Sequence, residues 1–157
     1  MTTKEQYIES FKSGWKLAGK LKSKCKGKLT IEVASAGLCL SLAAALTDDD
    51  VEKARDAVKN LLLIYWRHNF NQDASDEPVS ISITIEVSTN AFVLTDTLES
   101  ECEGQDAAAV MWAGLLLAVE AAHIEEGERE EEIGLDGLLH LLQRATADRS
   151  RLTHLFS

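Results

Sequence analysis

Apolar positions in the first twenty residues recur every three or four places. Tyr7, Phe11, Trp15, Ala18 and Leu21 form one stripe with Lys12, Lys16 and Lys20 on the opposite side, and that spacing predicts an amphipathic helix over 4–21. Past Leu21 the helical register fails, because Lys22 and Lys26 would land on the apolar side. There Lys24, Lys26, Lys28, Thr30 and Glu32 alternate with Cys25, Gly27, Leu29, Ile31 and Val33. Period two with β-branched residues at its end predicts a strand at 28–33.

Residues 34–46 are apolar all round and rich in Ala, Gly and Ser, which suits a helix packed closely at the centre of the molecule. The lysine-rich lead and the run Val33–Thr47 together resemble a signal peptide. The lead is itself patterned, Glu32 sits at the edge of the run, and Asp48-Asp49-Asp50 follows without a cleavage site. The run is also shorter than the ~20 residues of a membrane span, so it is read as a core helix of a cytoplasmic protein. Thr47, followed by three aspartates, predicts a capped helix start. Val51, Ala54, Val58, Leu61, Leu62 and Tyr65 continue that helix to about His68. Residues 69–78, with the only proline, read as a polar loop.

The strictest alternation follows. Val79, Ile81, Ile83, Ile85 and Val87 alternate with Ser80, Ser82, Thr84 and Glu86, which predicts a strand with its isoleucines facing the core. Ser88-Thr89-Asn90 reads as a turn and 91–97 as the returning strand of a hairpin. A long helix is expected at 105–126, a further one around Leu135, Leu138, Leu139 and Leu142, and a short terminal helix near Leu152, Leu155 and Phe156. The expected architecture is α+β: one domain over 1–157, of four to five helices on a small antiparallel sheet formed by the hairpin 79–97 and the strand 28–33. A faint echo links 36–66 with 108–145, each an Ala/Leu-rich helix, an acidic link and a second Leu-rich helix. Composition alone accounts for that much.

Composition agrees with one soluble domain: 157 residues, 45% apolar and 27% charged. Three cysteines at unrelated spacings exclude a secreted disulfide scaffold. Charge changes the picture more. Residues 1–28 hold eight lysines and two glutamates, whereas the rest holds eight Lys+Arg against 24 Asp+Glu, for a net charge of −10. Only the amino-terminal end can attract a polyanion.

Catalytic signatures are missing from the chain: no nucleophile elbow, no glycine-rich phosphate loop, no cysteine with a local motif. Glu120 and His123 form an E-x-x-H half-motif, but no second copy exists to complete a di-metal site. No cofactor, no metal and no enzymatic activity are therefore expected. Lys12, Lys16, Lys20, Lys24, Lys26 and Lys28 with Trp15 form a basic, aromatic surface suited to phosphate contact and base stacking. Glu126, Glu128, Glu130, Glu131 and Glu132 form an acidic link that could mimic a phosphate backbone. The expected function is a non-enzymatic protein-binding module: a small acidic adaptor, inhibitor or immunity-type protein, or assembly subunit, acting through these charged patches. A protein partner is expected, with self-association between the opposite patches as one form of it, and no membrane. The alternatives are a nucleic-acid-associated subunit using the amino-terminal lysines and a small enzyme with a site assembled from scattered residues.

Overall fold

The computed structural model describes residues 3–46, 50–70, 83–122 and 134–156. They form six α-helices: α1 (Thr3–Leu21), α2 (Thr30–Ala45), α3 (Val51–Phe70), α4 (Ile85–Glu101), α5 (Ala107–Ala122) and α6 (Gly134–Phe156). A 3₁₀ turn at Lys22–Cys25 follows α1. No strand occurs among the described residues, so the α+β expectation is overturned in favour of an all-helical fold.

The two all-apolar helices, α2 and α5, form the centre, and the others pack around them. Small residues decide how closely they approach. A Cβ added to Gly37 would meet the Gly114 carbonyl oxygen at 2.6 Å and the Ala118 nitrogen at 3.0 Å. Four residues on, the buried Ser41 hydroxyl donates to the Met111 carbonyl oxygen at 2.9 Å. That bond satisfies a polar group that would otherwise be costly in the core.

Helix α3 is capped by Asp50, whose Oδ1 accepts from the Lys53 backbone N–H at 3.1 Å. The proposed cap Thr47 lies outside the described residues. Val51, Ala54, Val58, Leu62 and Trp66 make the buried stripe of α3, which runs on to Phe70, beyond the expected end. Helix α6 is one continuous element rather than two. On α1 the buried positions are Gly14, Leu17, Ala18 and Leu21, so the expected stripe is rotated and Trp15 stands 60% exposed.

Neither predicted strand appears among the described residues. At 28–33 the chain leaves the 3₁₀ turn through Gly27, whose φ of +81° is in the left-handed region that glycine adopts without penalty. Glu32 then reaches back to accept the Leu29 N–H at 3.2 Å, capping the start of α2. The hairpin fails from Thr84 onward (Val79–Ser82 lie outside the described residues). The Thr84 hydroxyl accepts the Val87 N–H at 3.2 Å as a helix cap. The proposed turn 88–90 lies inside α4. Thr89, Thr95 and Thr97 donate to the carbonyls four residues back, at 2.9, 2.7 and 3.2 Å. These bonds absorb the hydroxyls that made the stretch look like a strand. Ala91, Leu94, Leu98 and Cys102 are buried at helical spacing. Ile83 is half-buried against the core, but Ile85 is 87% exposed, contrary to the expected inward face.

The chain is built from two related three-helix halves. Residues 77 apart correspond: Gly27 with Gly104, Gly37 with Gly114, Leu17 with Leu94, Leu21 with Leu98, Cys25 with Cys102. Gly27 and Gly104 share φ values of +81° and +80°. Packing obeys the same exchange: α1 lies on α5 as α4 lies on α2, and α3 meets α5 as α6 meets α2. One surface cleft is lined by Lys22, Cys25, Lys28, Thr30, Val33, Leu117, Glu120 and Ala121; the other by Glu99, Cys102, Ala107, Val110, Leu40, Ala43 and Ala44, the counterparts of all of these but Lys28. For α3 and α6 the offset is 80, pairing the buried Val58, Leu62 and Trp66 with the buried Leu138, Leu142 and Thr146. The faint echo at 36–66 and 108–145 is the visible part of this pseudo-two-fold arrangement.

Candidate functional site

The halves interlock, and the two equivalent sites this creates differ. On one side α1 and α3 of the first half meet α5 of the second at an aromatic cluster. The Trp112 ring packs edge-on against Phe11 (5.1 Å between centroids) and Tyr7 (5.6 Å), and Tyr65 lies 6.2 Å from both Phe11 and Trp112. The corresponding residues on α2, α4 and α6 are Ser35 for Trp112, Ser88 for Phe11 and Ala145 for Tyr65. Three rings have become two hydroxyls and a methyl.

Where those rings would lie, α2, α4 and α6 leave an open groove with a volume of about 270 Å³. Cys39, Leu42 and Ile83 supply apolar wall, and Phe92 stands at the groove, 60% exposed. The volume falls near the lower end of small-ligand pockets. Its rim carries Asp96, Glu99 and Asp148 with Arg144. The first-half counterparts of the three acids are Gly19, Lys22 and His68, so acidity accompanies the open groove alone.

A second polar feature lies beside α4. Glu32 is only 4% exposed, and besides capping α2 it accepts from the Asn90 side-chain amide at 2.8 Å. This bond ties the first turn of α2 to the second turn of α4.

The sequence-predicted residues fall elsewhere. Lys12, Lys16 and Lys20 are exposed on α1 beside Trp15, whose ring is 6.2 Å from Phe11. Lys24, Lys26 and Lys28 are exposed on the following turn. Part of the ladder is engaged internally: Lys24 pairs with Glu101 at 3.5 Å and Lys22 with Glu120 at 2.8 Å. Lys24 and Glu101 are themselves counterparts, so this ion pair joins equivalent points of the two halves. Glu126, Glu128, Glu130, Glu131 and Glu132 lie outside the described residues, as does His123 of the E-x-x-H pair. Among the described residues no three His, Cys, Asp or Glu side chains are placed to hold a metal ion. No described helix is long and apolar enough to cross a membrane.

Sequence reading missed the groove. Its walls are small or ordinary helical residues, and only the comparison of position i with i+77 marks Ser35 and Ser88 as replacements of Trp112 and Phe11. Comparison with protein-family models, curated proteins and solved structures found no match.

Proposed function

We propose that the protein is a non-enzymatic binding module that receives a segment of a partner protein in the α2–α4–α6 groove. The observation that supports this reading is the contrast between the two equivalent sites: Trp112, Phe11 and Tyr65 fill the one between α1, α3 and α5, and the one between α2, α4 and α6 stays open. Three thiols at spacings that do not suggest a disulfide framework support a reducing compartment such as the cytoplasm. The test is affinity capture from the native host with the wild-type chain and with Ser35→Trp, which supplies the counterpart of Trp112. A partner retained by the wild type and lost by the plugged variant at unchanged melting temperature is the expected result. A captured set indifferent to the plug would overturn it.

A second reading rests on Trp15, 60% exposed among Lys12, Lys16 and Lys20. That surface suits stacking and phosphate contact by a nucleic acid. Its affinity should then fall with salt, with a logarithmic slope of about −0.7 to −0.9 per phosphate neutralised. Absence of binding to DNA and RNA at ~50 mM salt removes this reading.

A further inference from the structure

The groove's chemistry narrows what it takes, on the reading above that a partner segment enters it. We infer that the occupant is an aromatic side chain flanked by lysine or arginine on the partner protein.

The aromatic part follows from the fold's own precedent. The equivalent space between α1, α3 and α5 holds an indole and two further six-membered rings, in edge-on contact at 5–6 Å between centroids. The counterpart helices α4, α6 and α2 border the open groove, whose volume of about 270 Å³ admits a ring of that size. Phe92 gives an incoming ring an edge or face to pack against. The half-buried hydroxyls of Ser35 and Ser88 are neutral hydrogen-bonding groups for an indole N–H or a phenol.

The basic part follows from the rim. Three carboxylates and one guanidinium border the opening, and the closed counterpart has none of the carboxylates. A net negative charge at the mouth of an apolar site favours a partner of the opposite sign and speeds its arrival. An acidic or neutral aromatic segment gains nothing from this rim. The chain's own α1 offers the same chemistry, Trp15 among lysines, and a second copy is therefore the competing occupant.

The experiment uses the full chain and three synthetic peptides: Gly-Lys-Lys-Trp-Lys-Lys-Gly, its Glu-for-Lys version and its Ala-for-Trp version. Binding is followed by calorimetry and by protection of Cys39, a groove-lining thiol, from iodoacetamide. The Lys-Trp peptide should bind, protect Cys39, lose affinity roughly fivefold or more with Asp96→Asn/Glu99→Gln, and weaken with salt. The other two peptides should bind at least about tenfold more weakly. Equal binding of the Lys-Trp and Glu-Trp peptides, both protecting Cys39, would overturn the charge inference while leaving the groove reading intact. Failure of both Trp peptides to protect Cys39 would overturn both. Because Ser35→Trp can perturb packing, the exposed-rim variant and the Cys39 readout keep the inference falsifiable without it. Concentration-dependent self-association in sedimentation, abolished by Trp15→Ala, would make the occupant a second copy and overturn the claim of a separate partner.

Discussion

Gly37 and Gly114 face each other where α2 crosses α5, each with the other's carbonyl oxygen in the space its own Cβ would need. They are also counterparts in the two halves, so this close backbone approach lies at the pseudo-two-fold centre. Small residues let two backbones meet, and α2 and α5 can then share one continuous core. The consequence for substitution is opposite in sign to ordinary helix propensity. Gly37→Ala should destabilise by about 1–3 kcal/mol, because backbone has to move. Gly19→Ala, on the exposed side of α1 with nothing within 4 Å of its Cβ position, should stabilise by about 0.5–1 kcal/mol. Urea unfolding of the two variants checks the contrast; equal effects would show that the crossing is looser than drawn.

Glu32 and Asn90 form a hydrogen-bonded pair between α2 and α4. Glu32→Ala leaves the Leu29 N–H and the Asn90 amide without their acceptor and should cost about 1–3 kcal/mol. Asn90→Ala in that background should cost less than it does alone, a coupling of about 0.5–3 kcal/mol in a double-mutant cycle. Strict additivity would deny the contact.

Helix α4 makes a prediction that a strand would not. Thr84→Ala removes the cap and should destabilise by about 0.5–2 kcal/mol. Ile85→Ala should change stability by less than ~0.5 kcal/mol, as expected of an exposed side chain. A sheet with Ile85 facing inward would reverse the order.

The aromatic cluster between α1, α3 and α5 is structural. Trp112→Ala should cost about 3–5 kcal/mol. Phe92→Ala, on the exposed counterpart groove, should stay within about ±0.5 kcal/mol. Thermal unfolding separates the two; similar losses would indicate that the second groove is closed by its own residues.

Alkaline pH should weaken the fold. Burial pushes the Cys102 thiol up, with Glu101 and Glu99 adding to it, and burial followed by Glu120 does the same for Cys25. With the folded pKa raised, the unfolded chain releases these protons first. The stabilisation is therefore whole below the ordinary thiol range near ~8.5 and is lost as pH rises through the folded values. Cys25→Ala/Cys102→Ala should flatten the decline in urea midpoint between about pH 8.5 and 10. A parallel decline in both proteins would assign it instead to Tyr7 and Tyr65, whose phenols burial also raises.

The sequence by itself determined the helices whose apolar residues recur at three and four places. Helices α1, α3, α5 and the first part of α6 were legible because burial writes that period into the chain, and residues 34–46 of α2 were legible as central because they lack a polar face. It also determined the split of charge between the ends. Tertiary structure alone decided the rest. The period of two over 79–87 predicts a strand, yet from Thr84 on the chain is capped and helical, its threonine hydroxyls bond their own backbone, and α2 offers a helix-shaped surface to Ala91, Leu94 and Leu98, so packing overrides the local period. Ser35 and Ser88 carry no mark of function in sequence. Only the equivalent site, where Trp112 and Phe11 fill the same space, shows that these two positions leave a groove. A cavity depends on which side chains meet across three helices, and no local pattern records that.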